Sequence, residues 1–130
     1  SVVFAWYFVD ESNSYADAVA IRLVNGEAIV PAIWPLEVAN TLIMGERRKR
    51  SSEAQATAFL ARLTVLPINL DEQSAWQSWS DSMALARKYD LSMYDAAYLE
   101  LAIRQTAPLA TLDKQLTTAA KTAGVSIYRP

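Results

Sequence analysis

Short apolar runs alternate with longer segments of helical periodicity along this sequence, and this alternation restricts the fold more than any other feature. Four runs are too short for helices and are flanked by Pro, Gly or polar residues, which is typical of short buried strands. Strands separated by helices predict an α/β domain with a mostly parallel sheet covered on both faces. Functional groups in such folds gather beyond the carboxyl ends of the strands. The predicted strands are 28–30, 65–68, 109–111 and 125–128. The predicted helices are 15–23, 34–50, 51 or 52 to 63, 71–89, 92–105 and 113–123.

The residue types that are absent from the sequence limit the kinds of catalysis that the chain can perform. The 130 residues fit one domain, and the chain contains no Cys and no His. Disulfides, thiolate nucleophiles and sulfur-ligated metals are therefore excluded, as are hydrolases that use a Ser-His-Asp or Cys-His arrangement. Any catalysis must depend on carboxylates, hydroxyls, Lys, Arg or a hard metal ion.

The charge balance excludes a generally basic nucleic-acid-binding surface, because 12 basic residues face 14 acidic ones for a net charge of −2. One basic cluster, formed by Arg47, Arg48, Lys49 and Arg50, is predicted either to interact with the negative end of a helix or to contact phosphates. The apolar run 1–9 is too short to span a bilayer and lacks a charged leader, so we expect a soluble, cytoplasmic protein with no membrane partner.

Glu37 is the one charged residue among the seventeen from 28 to 44. A carboxylate in such apolar surroundings is costly to desolvate unless it is paired or coordinated. Asn40 and Thr41 lie three and four residues further on and share its helical face. Glu37 therefore either complements the positive end of the helix dipole or belongs to a polar site.

Asp95 and Asp113 each stand at a predicted helix start. Asp95 follows Ser92 at the spacing of a capping box, and Asp113 directly follows a predicted strand, so each is individually well explained as a helix cap. Together with Glu37, however, they place three carboxylates at the edge of the sheet where a site forms. Oxygen ligands suit Mg²⁺ or Mn²⁺, and a carboxylate-bound metal site can hydrolyse phosphodiesters. The sequence therefore favours a nucleic acid substrate.

Three segments resemble the successive acidic motifs of PIN domains, particularly VapC-type toxins of toxin–antitoxin pairs. They are VPAIWPLEVAN at 30–40, LSMYDAAYL at 91–99 and ATLDKQL at 110–116. The resemblance implies a three-layer α/β/α fold and a metal-dependent endoribonuclease that acts on RNA. It also implies a homodimer and a cognate VapB-type antitoxin.

The same resemblance assigns roles to individual residues. Glu37, Asp95 and Asp113 would be the catalytic ligands of Mg²⁺ or Mn²⁺, with Asn40 and Thr111 as supporting polar groups. The resemblance also makes the basic cluster at 47–50 a possible contact for the antitoxin, as a third alternative. Apart from the resemblance, Lys114 beside Asp113 is predicted either to steer a phosphate or to be an exposed helix charge.

One acidic ligand of the family is missing from the printed sequence. In the family an Asp-x-Ser motif ends a central strand, and Ser1 corresponds to the Ser of that motif. We therefore expect a single PIN-like domain over residues 1–130 whose first central strand, with its Asp, precedes Ser1. The alternative is a non-catalytic PIN-like domain that binds RNA or protein, and a third possibility is a DNA nuclease.

Trp76 and Trp79 lie three residues apart on a predicted helix. Such a pair more often packs in a core or a dimer interface than stacks on nucleic-acid bases.

Overall fold

The computed structural model describes residues 14–130, which form a mixed α/β domain. The two strands are β1 (Ala28–Pro31) and β2 (Ile68–Asp71). The helices are α1 (Ser14–Leu23), α2 (Trp34–Arg47), α3 (Glu53–Thr64), α4 (Ser74–Gln77), α5 (Asp81–Tyr89), α6 (Met93–Gln105) and α7 (Lys114–Thr122). The predicted α/β class is confirmed.

The two strands pair in parallel, with Ala28 opposite Ile68 and Pro31 opposite Asp71. Helices α2 and α3 connect them, as a parallel pair requires a crossover. Leu109 and Ile127 form an isolated parallel bridge. The predicted strands at 109–111 and 125–128 are thus parallel neighbours, but in residues 14–130 they form one bridge and not a full ladder.

The core is divided into two main clusters. One joins α6 and α7 through buried residues such as Leu99, Leu116 and Ala120. The other joins α2 and α3 through Val38 and Phe59. These clusters fix the starts of α2, α6 and α7, which carry the three predicted acidic ligands.

Side-chain caps explain where several helices begin. Ser52 and Gln55 form a reciprocal capping box at the start of α3. Ser92 caps α6 by accepting from the Asp95 amide, and Asp113 caps α7 by accepting from the Leu116 amide. The α2 helix ends earlier than predicted, at Arg47, because Lys49 takes a left-handed conformation with φ of 59°.

The prediction of one helix over 71–89 is wrong. Asp71 is the last residue of β2, and the segment that follows contains two separate helices, α4 and α5. The hydroxyl of Ser78 donates to the carbonyl of Ala75 at 2.6 Å, a local bond of the kind that competes with helix continuation. The second strand also begins later than predicted, because α3 extends to Thr64 and Val65 caps its end.

Trp76 and Trp79 pack edge to face with ring centroids 5.2 Å apart. Both remain exposed, at 70% and 75% of their surface. Among residues 14–130 the pair is therefore not part of the core, and a role at a dimer or nucleic-acid surface stays a prediction.

A search of the helices within residues 14–130 finds none with the length and apolar character needed to cross a bilayer.

Candidate active site

Glu37 lies in the first turn of α2 and is half-buried. Its Oε1 accepts a hydrogen bond from the Tyr98 hydroxyl at 2.8 Å. Burial raises the pKa of Glu37, and the negative charge of Asp95 raises it further, while the Tyr98 hydrogen bond opposes the shift. The carboxylate is therefore held beside a second negative group in a partly desolvated position.

Asp95 lies in the first turn of α6, where its backbone amide donates to Ser92 Oγ at 3.1 Å. Burial raises its pKa and the charge of Asp113 adds to that rise, whereas the Ser92 side chain lowers it. Asp95 is thus electrostatically linked both to Glu37 and to Asp113.

Asp113 occupies the N-cap position of α7. Its Oδ2 accepts from the Leu116 amide at 2.7 Å, and its own amide donates to Thr111 Oγ1 at 3.1 Å. The cap predicted from the sequence is present, and one carboxylate oxygen is engaged in it.

A cavity of about 540 Å³ brings the three carboxylates to one place. Residues 28–30 of β1 and residues 107–111 both contribute to its lining. Glu37, Asp95 and Asp113 all face it, in a lining that is otherwise mainly apolar. The three predicted acidic residues thus line one cavity, and their role as metal ligands stays a prediction.

The supporting residues separate into two groups. Thr111 lines the cavity and bonds to the Asp113 amide. Asn40 is exposed and is outside the described lining of the cavity, so the polar stripe predicted on α2 does not continue into it. Ser1 lies outside the described residues. The roles of Thr111, Asn40 and Ser1 stay predictions.

The predicted phosphate contacts are outside the lining described for this cavity. Arg47, Arg48, Lys49, Arg50 and Lys114 are all exposed, and none belongs to the described cavity lining. The cation that does line it is Arg22 of α1, which the sequence analysis did not single out.

The carboxylates have the donor chemistry of a hard-cation site without forming a closed one. Within residues 14–130, no three acidic side chains are grouped tightly enough to hold a metal ion unaided. All three nevertheless offer oxygen, which suits Mg²⁺ or Mn²⁺. Burial raises the pKa values of Glu37 and Asp95, and repulsion by Asp95 and by Asp113 respectively adds to the rise. A bound cation would relieve that repulsion.

Sequence reasoning missed Tyr98 as a partner of Glu37. Tyr98 lies 61 positions from Glu37, so no local pattern connects the two. Its place three residues after Asp95, on the same face of α6, is the one signal that pointed toward the site. Burial and the neighbouring Glu37 charge raise the pKa of the Tyr98 phenol above its usual value.

A parallel sheet edge that gathers acidic helix starts around one cavity is the arrangement of a PIN domain, and the chain belongs to this family, matching "PIN domain" over residues 1–122. It is similar to "Ribonuclease VapC3" of Pyrobaculum aerophilum, with 32% identity over 116 residues. That alignment covers 89% of this chain and 87% of the relative. The chain is therefore a PIN domain of the VapC type.

Proposed function

We propose that this protein is a metal-dependent endoribonuclease that hydrolyses RNA phosphodiester bonds and acts as the toxin of a toxin–antitoxin pair. The observation that carries the proposal is the convergence of Glu37, Asp95 and Asp113 on one cavity. The name of the similar archaeal protein, a ribonuclease, supports the choice of RNA.

Each carboxylate has a distinct task in this proposal. Glu37, Asp95 and Asp113 would hold Mg²⁺ or Mn²⁺, with Thr111 fixing the backbone before Asp113. When bound, the cation supplies activation of water and neutralisation of charge on the phosphodiester. Burial of Glu37 and Asp95 keeps bulk water from screening their charges, which strengthens cation binding once both are ionised.

We further propose that a strand preceding Ser1 occupies the part of the cavity between β1 and the Leu109 segment and ends, beside the carboxylates, in the Asp of the family's first motif. Two observations support this. The cavity lies between β1, which pairs with β2 on its other side, and the segment of Leu109, which bridges to Ile127 on its other side. β1 lies in a parallel ladder and Leu109 in a single parallel bridge, so a parallel strand between them would join the two halves of the sheet.

The partners proposed for the protein follow from its type. A VapC-type toxin is paired with a VapB-type antitoxin and is expected as a homodimer in the cytoplasm. The exposed Trp76 and Trp79 offer an apolar surface for such an interface, and the Arg47 to Arg50 cluster and Lys114 are proposed contacts for RNA phosphates or the partner.

A second candidate function is binding of RNA or protein without cleavage. The observation that favours it is the lack of a tight three-carboxylate group within residues 14–130. A domain that keeps the scaffold but lacks one ligand would bind without cutting.

Cleavage of RNA tests the first proposal directly. The antitoxin-free protein, expressed from its native start codon, is incubated with a mixed RNA pool in Mg²⁺ or Mn²⁺, beside the same pool of single-stranded DNA. We expect RNA to be cut by the wild type and by Asp17→Asn, an exposed carboxylate of α1 that serves as the matched control. Cleavage should be lost with Asp95→Asn and with a chelator.

Other outcomes would change the assignment. A folded wild type that binds RNA without cutting it in either metal supports the non-catalytic candidate. Preferential cutting of DNA would point to a DNA nuclease.

A further inference from the structure

Tyr98 is a partly buried polar residue in direct contact with a carboxylate of the site. Its hydroxyl donates to Oε1 of Glu37 at 2.8 Å, and its ring lies among the residues that line the cavity. An ionised carboxylate has only acceptor sites, so the phenol is the donor in this pair. The contact therefore constrains one oxygen of Glu37.

The position of Tyr98 on α6 makes this constraint rigid. Its neighbours Ala97 and Leu99 are buried at 8% and 0% exposure, which fixes the helix at this turn. Asp95 projects from the same face one turn earlier. One rigid helix thus carries one carboxylate of the site and the hydroxyl that holds another.

Glu37 needs such a constraint because its side chain has three rotatable bonds. An unrestrained Glu loses rotamer entropy whenever it binds a cation, and a hydrogen bond to one oxygen removes part of that loss in advance. Since one hydroxyl engages Oε1 only, the second oxygen can still take a ligand in the cavity.

We infer that Tyr98 is a positioning residue, whose hydroxyl orients the Glu37 carboxylate for a divalent cation in the cavity. This inference rests on the proposed metal-dependent function. It adds a residue to the site that has no ligand role of its own and acts through Glu37.

Binding of Mn²⁺ to Tyr98→Phe is the decisive measurement. The protein expressed from its native start codon is titrated with Mn²⁺ by calorimetry, without RNA. We expect the dissociation constant to rise by about 10- to 100-fold, the effect usual for a residue that orients a metal ligand. The matched control is Tyr94→Phe, which removes the same hydroxyl from an exposed position of the same helix and should leave affinity unchanged.

A double-variant comparison separates positioning from packing. In a Glu37→Ala background, Tyr98→Phe should cause no further loss of Mn²⁺ affinity, because Tyr98 affects cation binding only through the Glu37 carboxylate. In cleavage assays the deficit of Tyr98→Phe should be recovered by raising Mn²⁺, with the KM for RNA unchanged.

A second measurement needs no change at position 98. With tyrosine labelled at its ring Cζ carbon, the Tyr98 resonance, assigned through Glu37→Gln, should shift when Mg²⁺ is added to the wild type. The Tyr94 resonance should not move.

These measurements distinguish failure of the role inferred for Tyr98 from failure of the proposed function. Equal Mn²⁺ affinity of wild type and Tyr98→Phe, or a Tyr98 resonance unmoved by Mg²⁺ in a protein that binds it, overturns the role of Tyr98 alone. A wild type that neither binds Mn²⁺ nor cuts RNA overturns the proposed function and this inference with it.

Discussion

Arg104 of α6 forms a salt bridge with Asp71 at the end of β2. Its Nη2 lies 2.6 Å from Asp71 Oδ2, and its Nη1 lies 3.2 Å from Asp71 Oδ1. The same guanidinium donates through Nε to Glu100 Oε2 at 2.9 Å. Asp71 and Glu100 are 9% and 4% exposed, so two nearly buried anions share one cation. The arrangement ties the sheet to the helix that presents Asp95.

Replacing Arg104 with Met should destabilise the fold strongly, because it leaves Asp71 and Glu100 buried without their cation. Loss of one partner from a buried ion pair costs about 3 kcal/mol or more. Urea unfolding followed by circular dichroism measures this free energy. Arg87→Met, at an exposed position of α5, is the control and should change it by less than about 0.5 kcal/mol. A loss below about 1 kcal/mol for Arg104→Met would contradict the structural role.

Lowering the pH should destabilise the fold because Asp71 becomes protonated. Hydrogen bonding to Arg104 holds the pKa of Asp71 below its ordinary value. The stabilisation is therefore complete above the unfolded-state pKa and is lost as the pH falls through the lower folded-state pKa. We expect the melting temperatures of wild type and Asp71→Asn to differ most near neutral pH and to converge in strong acid. A difference in melting temperature that increases as the pH falls would contradict the lowered pKa of Asp71.

The contribution of Glu37 to the stability of the fold should have the opposite pH dependence. Burial raises its folded-state pKa, so its contribution is favourable below the unfolded-state pKa and is lost as the pH rises through the raised value. Without metal, Glu37→Gln should melt at a higher temperature than wild type near neutral pH, and the two should converge in acid.

Divalent metal should reverse the order of the melting temperatures of the wild type and Glu37→Gln. Because a ligand that binds the folded state stabilises it, Mg²⁺ should raise the melting temperature of the wild type more than that of Glu37→Gln. Equal responses to Mg²⁺ would show that Glu37 takes no part in binding.

The parts of the fold that depend on nearby residues could be read from the sequence. The starts of α3, α6 and α7 were predicted because Ser52, Ser92 and Asp113 cap amides only three positions away. Asp71 was placed wrongly because it too looks like a helix cap, and the residue that holds it in the strand, Arg104, lies 33 positions further on.

The candidate site divides in the same way. Glu37 stood out as a charge in an apolar segment, and the carboxyl-edge rule for parallel sheets brought it together with Asp95 and Asp113. The Tyr98 hydrogen bond could not be predicted, since it depends on how α2 and α6 approach one another and on no pattern within either helix.

Asp113 has both a capping and a proposed metal-binding role, and two substitutions should separate them. Asn is as good an N-cap as Asp, so Asp113→Asn should keep the free energy of unfolding within a few tenths of a kcal/mol while abolishing RNA cleavage. Asp113→Ala should also lose about 1 kcal/mol of stability, because the Leu116 amide loses its acceptor. Full cleavage by Asp113→Asn would reduce Asp113 to a helix cap.

The strand proposed to lie between β1 and the Leu109 segment should change hydrogen exchange at specific amides. The Ala28 amide donates to Pro67 and the Leu109 amide to Ser126, both away from the cavity. Because successive strand amides point in opposite directions, those of Ile29 and Ala110 point toward the cavity edge. In protein expressed from its native start codon, these two amides should exchange at least about 100-fold more slowly than in a chain that begins at Ser1. The Ala28 and Leu109 amides are internal controls that already have partners in the shorter chain. Equal exchange at Ile29 and Ala110 in both proteins would mean that no strand pairs there.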